Sequence, residues 1–272
     1  MEVKLCVLGS TSAGNSTVVW NKDNVLLIDC GFSPKYIQEN FDNLGIDFSK
    51  LRGILLTHLH NDHLNLSFLK VAQKSGIPVY VQKRMKEFLD KRKDLFKQLI
   101  RDGLVKVFEE ETFSLAGFEI SAFEVPHDVP GGCWGYNLVY QNEVKAKKIS
   151  LATDIGYPTV NTVNRFKDSD LIVIESNHDV TMLANSKRSN WLKSRIQNIG
   201  HLSNEQSADF IHEVLSQSVV KPKTIMLAHI SQECNTQYLA ATTMMNKLQT
   251  KNHSDIKVVL THKNLASEVI TV

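Results

Sequence analysis

Thr57-His58-Leu59-His60-Asn61-Asp62-His63 places three imidazoles and a carboxylate within a few residues, directly after the apolar run 54–56. Packing does not explain such a stretch. Buried imidazole and carboxylate groups need polar partners, and an exposed loop has no structural need for this concentration. Metal coordination explains it. From an extended segment His58 and His60 point the same way, while Asp62 and His63 turn toward a second position nearby. Imidazole and carboxylate donors without thiolate suit zinc, manganese or iron. The run 54–56 predicts a short buried strand and Leu66–Lys74 a helix stopping at Gly76, so the cluster fills the connection that leaves a strand.

Toward the N-terminus, residues 3–8, 17–20 and Val25–Ile28 predict strands, the last ending at Asp29, and 34–44 predicts a helix. Toward the C-terminus, 79–81 predicts a strand and 83–100 a charged amphipathic helix. Strands then recur at hairpin spacing from 105 to 125, turning at Ala116-Gly117. Residues 135–140 and 148–152 predict a further pair, and 171–174, 225–227 and 256–260 single strands. Helices are predicted over 203–216, with Ser203 as N-cap and Glu205 in the first turn, and over 236–249. Two successive halves of this kind imply an α/β sandwich of two facing mixed β-sheets with helices on the outer faces. No Pro/Gly/Ser-rich linker and no short repeat interrupts the chain, so residues 1–272 are expected to form one domain.

Composition narrows the class. A chain of 272 residues that is 42% hydrophobic and 22% charged is globular, neither disordered nor fibrous. No apolar run approaches the roughly 18 to 20 residues that cross a bilayer. The opening MEVKLCVLGS lacks the features of a signal peptide, which predicts a cytoplasmic protein with no membrane partner. Cys6, Cys30, Cys133 and Cys234 are dispersed with no C-x-x-C pair, against a disulfide framework or zinc finger and in favour of a reducing compartment. A net charge of +2 is close to neutral, so a polyanion would have to be held by local patches or by metal ions.

The H-x-H-x-D-H pattern resembles that of the metallo-β-lactamase superfamily, an αβ/βα sandwich whose strand-end loops hold two metal ions. Three later strings match its order: Val125-Pro126-His127-Asp128, Thr153-Asp154-Ile155-Gly156 and Leu227-Ala228-His229-Ile230-Ser231, each at the end of an apolar run. The resemblance implies that His58, His60 and His127 bind one metal, Asp62, His63 and His229 a second, and that Asp154 bridges them. His201 is the other candidate for the place given to His229. Leu27-Ile28-Asp29-Cys30-Gly31 is similar to the superfamily's buried aspartate, which would make Asp29 the group that orients the metal loop from behind the ligands.

Glu175-Ser176-Asn177-His178-Asp179 and Gly200-His201-Leu202-Ser203-Asn204, with Trp191-Leu192-Lys193-Ser194-Arg195-Ile196 and Gly9-Ser10-Thr11-Ser12-Ala13-Gly14-Asn15-Ser16, resemble the YycJ (WalJ) branch of that superfamily from about residue 3 to 245. That branch implies a 5′→3′ exonuclease acting on double-stranded DNA. The chain is also similar to tRNase Z in having a glutamate after a strand and a histidine opening a helix. By that resemblance Glu175 orients His201, and His201 protonates the departing sugar oxygen, a role a near-neutral imidazole suits. Asp62 joins Glu175 and His201 as a catalytic residue. Where the pattern commonly has a glycine after Asp-His, this chain has Leu64-Asn65-Leu66-Ser67, and it has no counterpart of the tRNA-gripping arm.

Several residues admit two readings. Asn177, His178, Lys193 and Arg195 are candidate substrate contacts, with a surface or supporting role for His178 equally open. Residues 9–16 could cradle phosphate, but 17–20 predicts a strand rather than the helix such loops need, which favours a hairpin turn. Lys83, Arg84 and Lys86, and Lys91, Arg92 and Lys93, read as solvated helix faces. The cluster Lys187, Arg188, Lys193 and Arg195 could contact phosphates. Tyr157 and Trp191 are expected in the core, with stacking on a terminal base as the other role. The functional expectation is a metal-dependent phosphodiester hydrolase, a 5′→3′ DNA exonuclease using a hydroxide activated by two divalent ions (zinc or manganese, iron being compatible). The alternatives are a small-molecule hydrolase of cyclic phosphodiesters, thioesters or lactones, and a non-catalytic scaffold.

Overall fold

The computed structural model describes residues 2–89, 94–109, 112–141 and 145–272. The first half supplies β1 (Lys4–Thr11), β2 (Gly14–Trp20), β3 (Val25–Ile28), β4 (Leu51–Leu55), β5 (Val79–Gln82) and β6 (Val105–Phe108). The second supplies β7 (Thr112–Leu115), β8 (Phe118–Val125), β9 (Cys133–Gln141), β10 (Ala146–Ala152), β11 (Leu171–Glu175), β12 (Thr224–Ala228) and β13 (Lys257–Leu260). A last strand, β14 (Ile270–Thr271), returns to the first sheet beside β1. The sheets have seven strands each, in the orders β14-β1-β2-β3-β4-β5-β6 and β13-β12-β11-β10-β9-β8-β7.

Both halves follow one plan. Antiparallel strands joined by short turns come first, then parallel strands, from β3 to β6 and from β10 to β13. Parallel neighbours cannot be joined by a hairpin and need a crossover, usually a helix. The first half uses α1 (Pro34–Asn43), α2 (Leu66–Lys74), α3 (Lys83–Leu89) and α4 (Asp94–Arg101). The second uses α5 (Val160–Phe166), α6 (Val180–Asn185), α7 (Asn190–Arg195), a π-helical turn (Ile196–Gly200), α8 (Asn204–Gln217) and α9 (Gln237–Thr250).

The apolar runs do not alternate with polar residues because both faces of each sheet are covered. Leu26 and Ile28 point between the sheets, against Phe118, Ile120, Tyr136 and Val173 from the other half. Their neighbours Val25 and Leu27 point outward beneath Ile37, Phe41, Phe68 and Leu69 of α1 and α2. The second sheet does the same with Ile172, Ile174, Ile225 and Leu227 under Phe166, Ile211, Leu215 and Met244 of α5, α8 and α9. The result is helix, sheet, sheet, helix: the expected α/β sandwich.

The described residues of 83–100 are helical, forming α3 and α4, and Lys91, Arg92 and Lys93 lie outside the described residues. Two details depart from the sequence reading. Residues 9–16 are mostly strand, with β1 running to Thr11 and β2 resuming at Gly14. Helices α5, α6 and α7 span only six or seven residues each, too few for an apolar period to show; caps at Thr159, Asp179 and Ser189 hold them instead.

Candidate metal centre

The candidate ligands come from the C-terminal ends of strands in both sheets. Asp29 follows β3, Asp154 follows β10 and His229 follows β12, and all three have left-handed backbones, with φ of 58°, 57° and 53°. A non-glycine residue there costs roughly 1–3 kcal/mol and persists only where its surroundings enforce it. Here the kink stops the strand, with Asp154 and His229 turned into the donor sets and Asp29 onto Thr57 and His63 Nδ1 behind them. The stretch from His58 to His63 leaves β4, and His127 follows β8. Gly31 sits hard against this loop: a Cβ there would lie 1.8 Å from the Asp62 carbonyl oxygen. The Asn15 N–H donates to that same carbonyl at 2.7 Å, fastening the loop to the β1–β2 hairpin.

Donor atoms of His58, His60 and His127 lie within 4.8 Å of one another, as do those of Asp62, His63 and His229. Asp154 forms a third set with His58 and His63, and so lies between the other two. Its Oδ2 is 3.1 Å from His63 Nε2. Asp62 Oδ2 is 3.5 Å from His63 Nε2 and 3.8 Å from His229 Nε2. His58 Nε2, His127 Nε2, His229 Nε2 and Asp154 Oδ2 are buried without a hydrogen-bond partner. Each such atom costs about 1–3 kcal/mol if it stays unsatisfied. Four of them, distributed over these neighbouring donor sets, fit divalent cations.

The opposite ring nitrogens are occupied, which fixes the inward ones. His63 Nδ1 donates to Asp29 Oδ2 at 2.7 Å, and His127 Nδ1 donates to the Gly200 carbonyl at 2.9 Å. His229 Nδ1 donates to Glu175 Oε1 at 2.7 Å. Thr57 gives its hydroxyl proton to Asp29 Oδ2 at 2.8 Å, so toward His58 Nδ1, 3.0 Å away, it acts as acceptor. Partners of this kind orient a ligating imidazole and raise its basicity.

Burial, with neighbouring histidines, pushes His58 and His127 below the usual imidazole range, keeping them neutral. Burial would also lower His63 and His229, but carboxylates outweigh it. Asp29, Asp154 and Asp62 raise His63 well above its ordinary value, and Asp154, Asp62 and Glu175 push His229 up to about 10. The same contacts hold Asp62 and Asp154 well below the carboxylate range, against burial.

Glu175, completely buried at the end of β11, is a junction. Its Oε1 accepts from His201 Nδ1 at 2.9 Å as well as from His229 Nδ1, and its Oε2 accepts the Ile155 and Leu202 N–H groups, both at 3.0 Å. His201 and then His229 drive its carboxyl down to about 2, although burial opposes them. The sequence reading joined Glu175 to His201 alone. The link to His229 crosses 54 residues of chain and left no sequence signal.

The remaining candidates are placed as follows. Asn177 is 8% exposed and its amide donates to the His229 carbonyl at 2.8 Å, so it braces a ligand loop. His178 is 1% exposed, and burial lowers it to about 4. Lys193 Nζ donates to the Ala184 carbonyl at 2.6 Å, Arg188 pairs with Glu233 at 3.1 Å, and Arg195 grips Asp128 through Nη2 at 2.7 Å. Tyr157 and Trp191 are not core residues: they are 47% and 74% exposed, Tyr157 on the connection from β10 to α5 and Trp191 in the short helix α7. Sequence reasoning missed Ser10 and Asn15. Ser10 Oγ accepts the His229 N–H at 2.9 Å and donates to Asn15 Oδ1 at 2.8 Å, while the Asn15 amide donates to Asp62 Oδ2 at 3.3 Å. Buried polar residues where two apolar strands meet were the available signal.

A family described as a beta-lactamase superfamily domain matches residues 24–230. The chain is 31% identical over 247 residues to exodeoxyribonuclease WalJ of Streptococcus pneumoniae serotype 2, covering 90% of this chain and 88% of that one. It is 30% identical over 256 residues to exodeoxyribonuclease YycJ of Bacillus anthracis, covering 92% and 91%. Among solved structures it resembles the metallo-β-lactamase fold protein YhfI of Bacillus subtilis, with a TM-score of 0.69 at 15% identity over the whole of both chains. That fold binds divalent metal, and the donor sets above fit such an ion. With matches of this length at both sequence and fold level, the chain belongs to the β-lactamase superfamily, in the family of the WalJ and YycJ proteins.

Proposed function

We propose that this chain is a metal-dependent phosphodiester hydrolase, a nuclease that removes nucleotides from duplex DNA ends in the 5′→3′ direction. Its WalJ and YycJ relatives are named exodeoxyribonucleases. The observation that carries the reading is His201: an imidazole with a side chain 18% exposed, held through Nδ1 by a sealed carboxylate, beside a cage whose other donors face inward. An alkoxide leaving from phosphorus needs a proton, and this ring has one nitrogen left to supply it. An ester with a more acidic leaving group would not need the Glu175–His201 pair.

In this reading His58, His60 and His127 hold one ion, Asp62, His63 and His229 a second, and Asp154 contributes to both. The pair is zinc or manganese, with iron compatible. Two such ions supply Lewis acidity that activates water and offsets charge on the phosphoryl oxygens. The chain's own part is to orient. Asp29 and Thr57 set the rings of His63 and His58, Asp62 aligns the attacking water, Glu175 fixes His201, and His201 protonates the leaving sugar oxygen. Candidate ligands drawn from both sheets support reading residues 1–272 as one functional unit. Four free, buried cysteines suit a reducing cytoplasm. Among the described residues no helix is long and apolar enough to cross a membrane.

The test is metal-loaded protein with 5′- and 3′-labelled duplex DNA, RNA and bis-p-nitrophenyl phosphate, run beside Asp62→Ala and His201→Ala. Release of nucleotides from 5′ ends is expected, lost in Asp62→Ala. His201→Ala should keep its metal and turn over about 100-fold slower or worse. Turnover of the small diester alone would replace the nuclease reading with a small-molecule hydrolase. Normal turnover in His201→Ala would remove the acid role.

A further inference from the structure

We infer that the cavity beside His127 seats the nucleobase that adjoins the scissile phosphate, with Tyr157 and Ile199 as the surfaces on which it packs. This rests on the nuclease reading above. The cavity has a volume of about 510 Å³ and is walled by Pro126, His127, Tyr157, Asn161 and Ile199. It shares His127 with the metal centre, so a group seated there lies one residue away from that centre.

Its chemistry suits a flat heterocycle. Tyr157 is 47% exposed and Ile199 41%, an aromatic and a branched aliphatic side chain left open on one concave wall. Every base offers a π-face, so an aromatic platform holds bases without regard to sequence, as an enzyme that removes successive nucleotides requires. Asn161 is exposed on the same wall, and its amide carries both donor and acceptor for a base edge. The wall also holds two carboxylates, which would repel a polyanion if left alone. Each is neutralised: Glu124 by Arg84 Nη1 at 2.8 Å and Asp128 by Arg195 Nη2 at 2.7 Å.

The walls are fixed beforehand. The Gly156 N–H donates to the Pro126 carbonyl at 2.6 Å, and His127 Nδ1 donates to Gly200, the last residue of the π-turn that carries Ile199. A Cβ on residue 156 would lie 2.4 Å from the Ile199 carbonyl oxygen, so glycine lets the Tyr157 loop and the π-turn meet. Single π-turns of this type recur at functional sites. The segments that carry Tyr157 and Ile199 are thus held against each other before anything binds.

The test is a mutant cycle between protein and substrate. One arm is Tyr157→Ala, and the other is duplex DNA with an abasic residue on either side of the scissile bond. Tyr157→Ala should lower kcat/KM on intact DNA by roughly 5- to 150-fold, and an abasic residue on one side should lower wild-type kcat/KM comparably. Together the two losses should not multiply. Ile199→Ala should give a smaller loss with the same behaviour. A second readout is independent of turnover. The fluorescence of 2-aminopurine at the coupled position should be quenched on binding metal-free wild-type protein and not on binding Tyr157→Ala. Losses that multiply, or quenching that survives in the variant, overturn the base seat while the nuclease reading stands. Absence of any DNA cleavage by wild-type protein overturns both.

Discussion

Replacing Glu175 by glutamine keeps the size of the side chain and removes one thing, the ability of both oxygens to accept. In the native chain Oε1 receives His201 Nδ1 and His229 Nδ1, and Oε2 receives the N–H groups of Ile155 and Leu202. Whichever way the amide turns, its NH2 faces at least two donors, and three where it replaces Oε1, which also accepts the Asp154 N–H at 3.3 Å. Each charge-assisted bond of this sort contributes about 1.5–3 kcal/mol, so losing two destabilises by about 3–6 kcal/mol. At about 3 °C per kcal/mol for a chain of this size, that lowers Tm by roughly 10 to 20 °C. The fold should survive, since domains carry about 5–15 kcal/mol. Two functions then weaken together. His229 loses the partner that orients it, which typically reduces metal affinity 10- to 100-fold, and His201 loses its fixed orientation, reducing turnover about 100- to 10,000-fold. Calorimetry with metal, thermal melting and kcat at saturating metal separate the effects. A Glu175→Gln protein with native metal affinity would refute the junction, even if its activity fell.

Three further outcomes are expected. Asp29→Asn should weaken metal binding 10- to 100-fold with little change in kcat at saturating metal, because it touches Thr57 and His63 but no open atom of the centre; titration against a competing chelator measures it, and unchanged affinity would contradict it. Gly31→Ala forces a Cβ to 1.8 Å from the Asp62 carbonyl oxygen, so Tm should fall by about 3–9 °C and bound metal per chain should drop, while full metal content would contradict the close approach. After metal removal, His229, raised to about 10 from an ordinary 6.5, contributes stability in full below about pH 6.5 and loses it as pH rises toward 10. Glu175, lowered to about 2 from an ordinary 4.5, contributes in full above pH 4.5 and loses it as pH falls toward 2. Melting should therefore show the metal-free protein losing stability from pH 6.5 to 9, and a flat Tm over that window would contradict the protonated His229.

What could be seen in the sequence follows physical locality. His58, His60, Asp62 and His63 are adjacent in the chain, and an apolar strand that stops dead at a polar residue marks His127, Asp154, Glu175 and His229. The sandwich was legible for the same reason, since its strands are buried on both faces and read as unbroken apolar runs. Contacts between distant segments were not. Glu175 bridging two histidines, Ser10 bonded to a residue 219 positions away, and the Gly200 carbonyl behind His127 all arise when two sheets close on each other. The β1–β2 hairpin was recognised as a turn, but its reach into the centre depends on the register Ser10↔Asn15, which composition does not specify. Asn65 shows the converse. Standing near the place where related chains often have glycine, it caps α2 by accepting from Ser67 and Phe68 at 3.0 and 3.2 Å, and so keeps the turn after His63 closed.

A crystal of the metal-loaded protein, measured for anomalous scattering at the absorption edge of the added ion, addresses the whole account at once. Two peaks per chain are expected, one among His58, His60 and His127 and the other among Asp62, His63 and His229, with Asp154 touching both. Peaks elsewhere, or full activity with neither position filled, would contradict it.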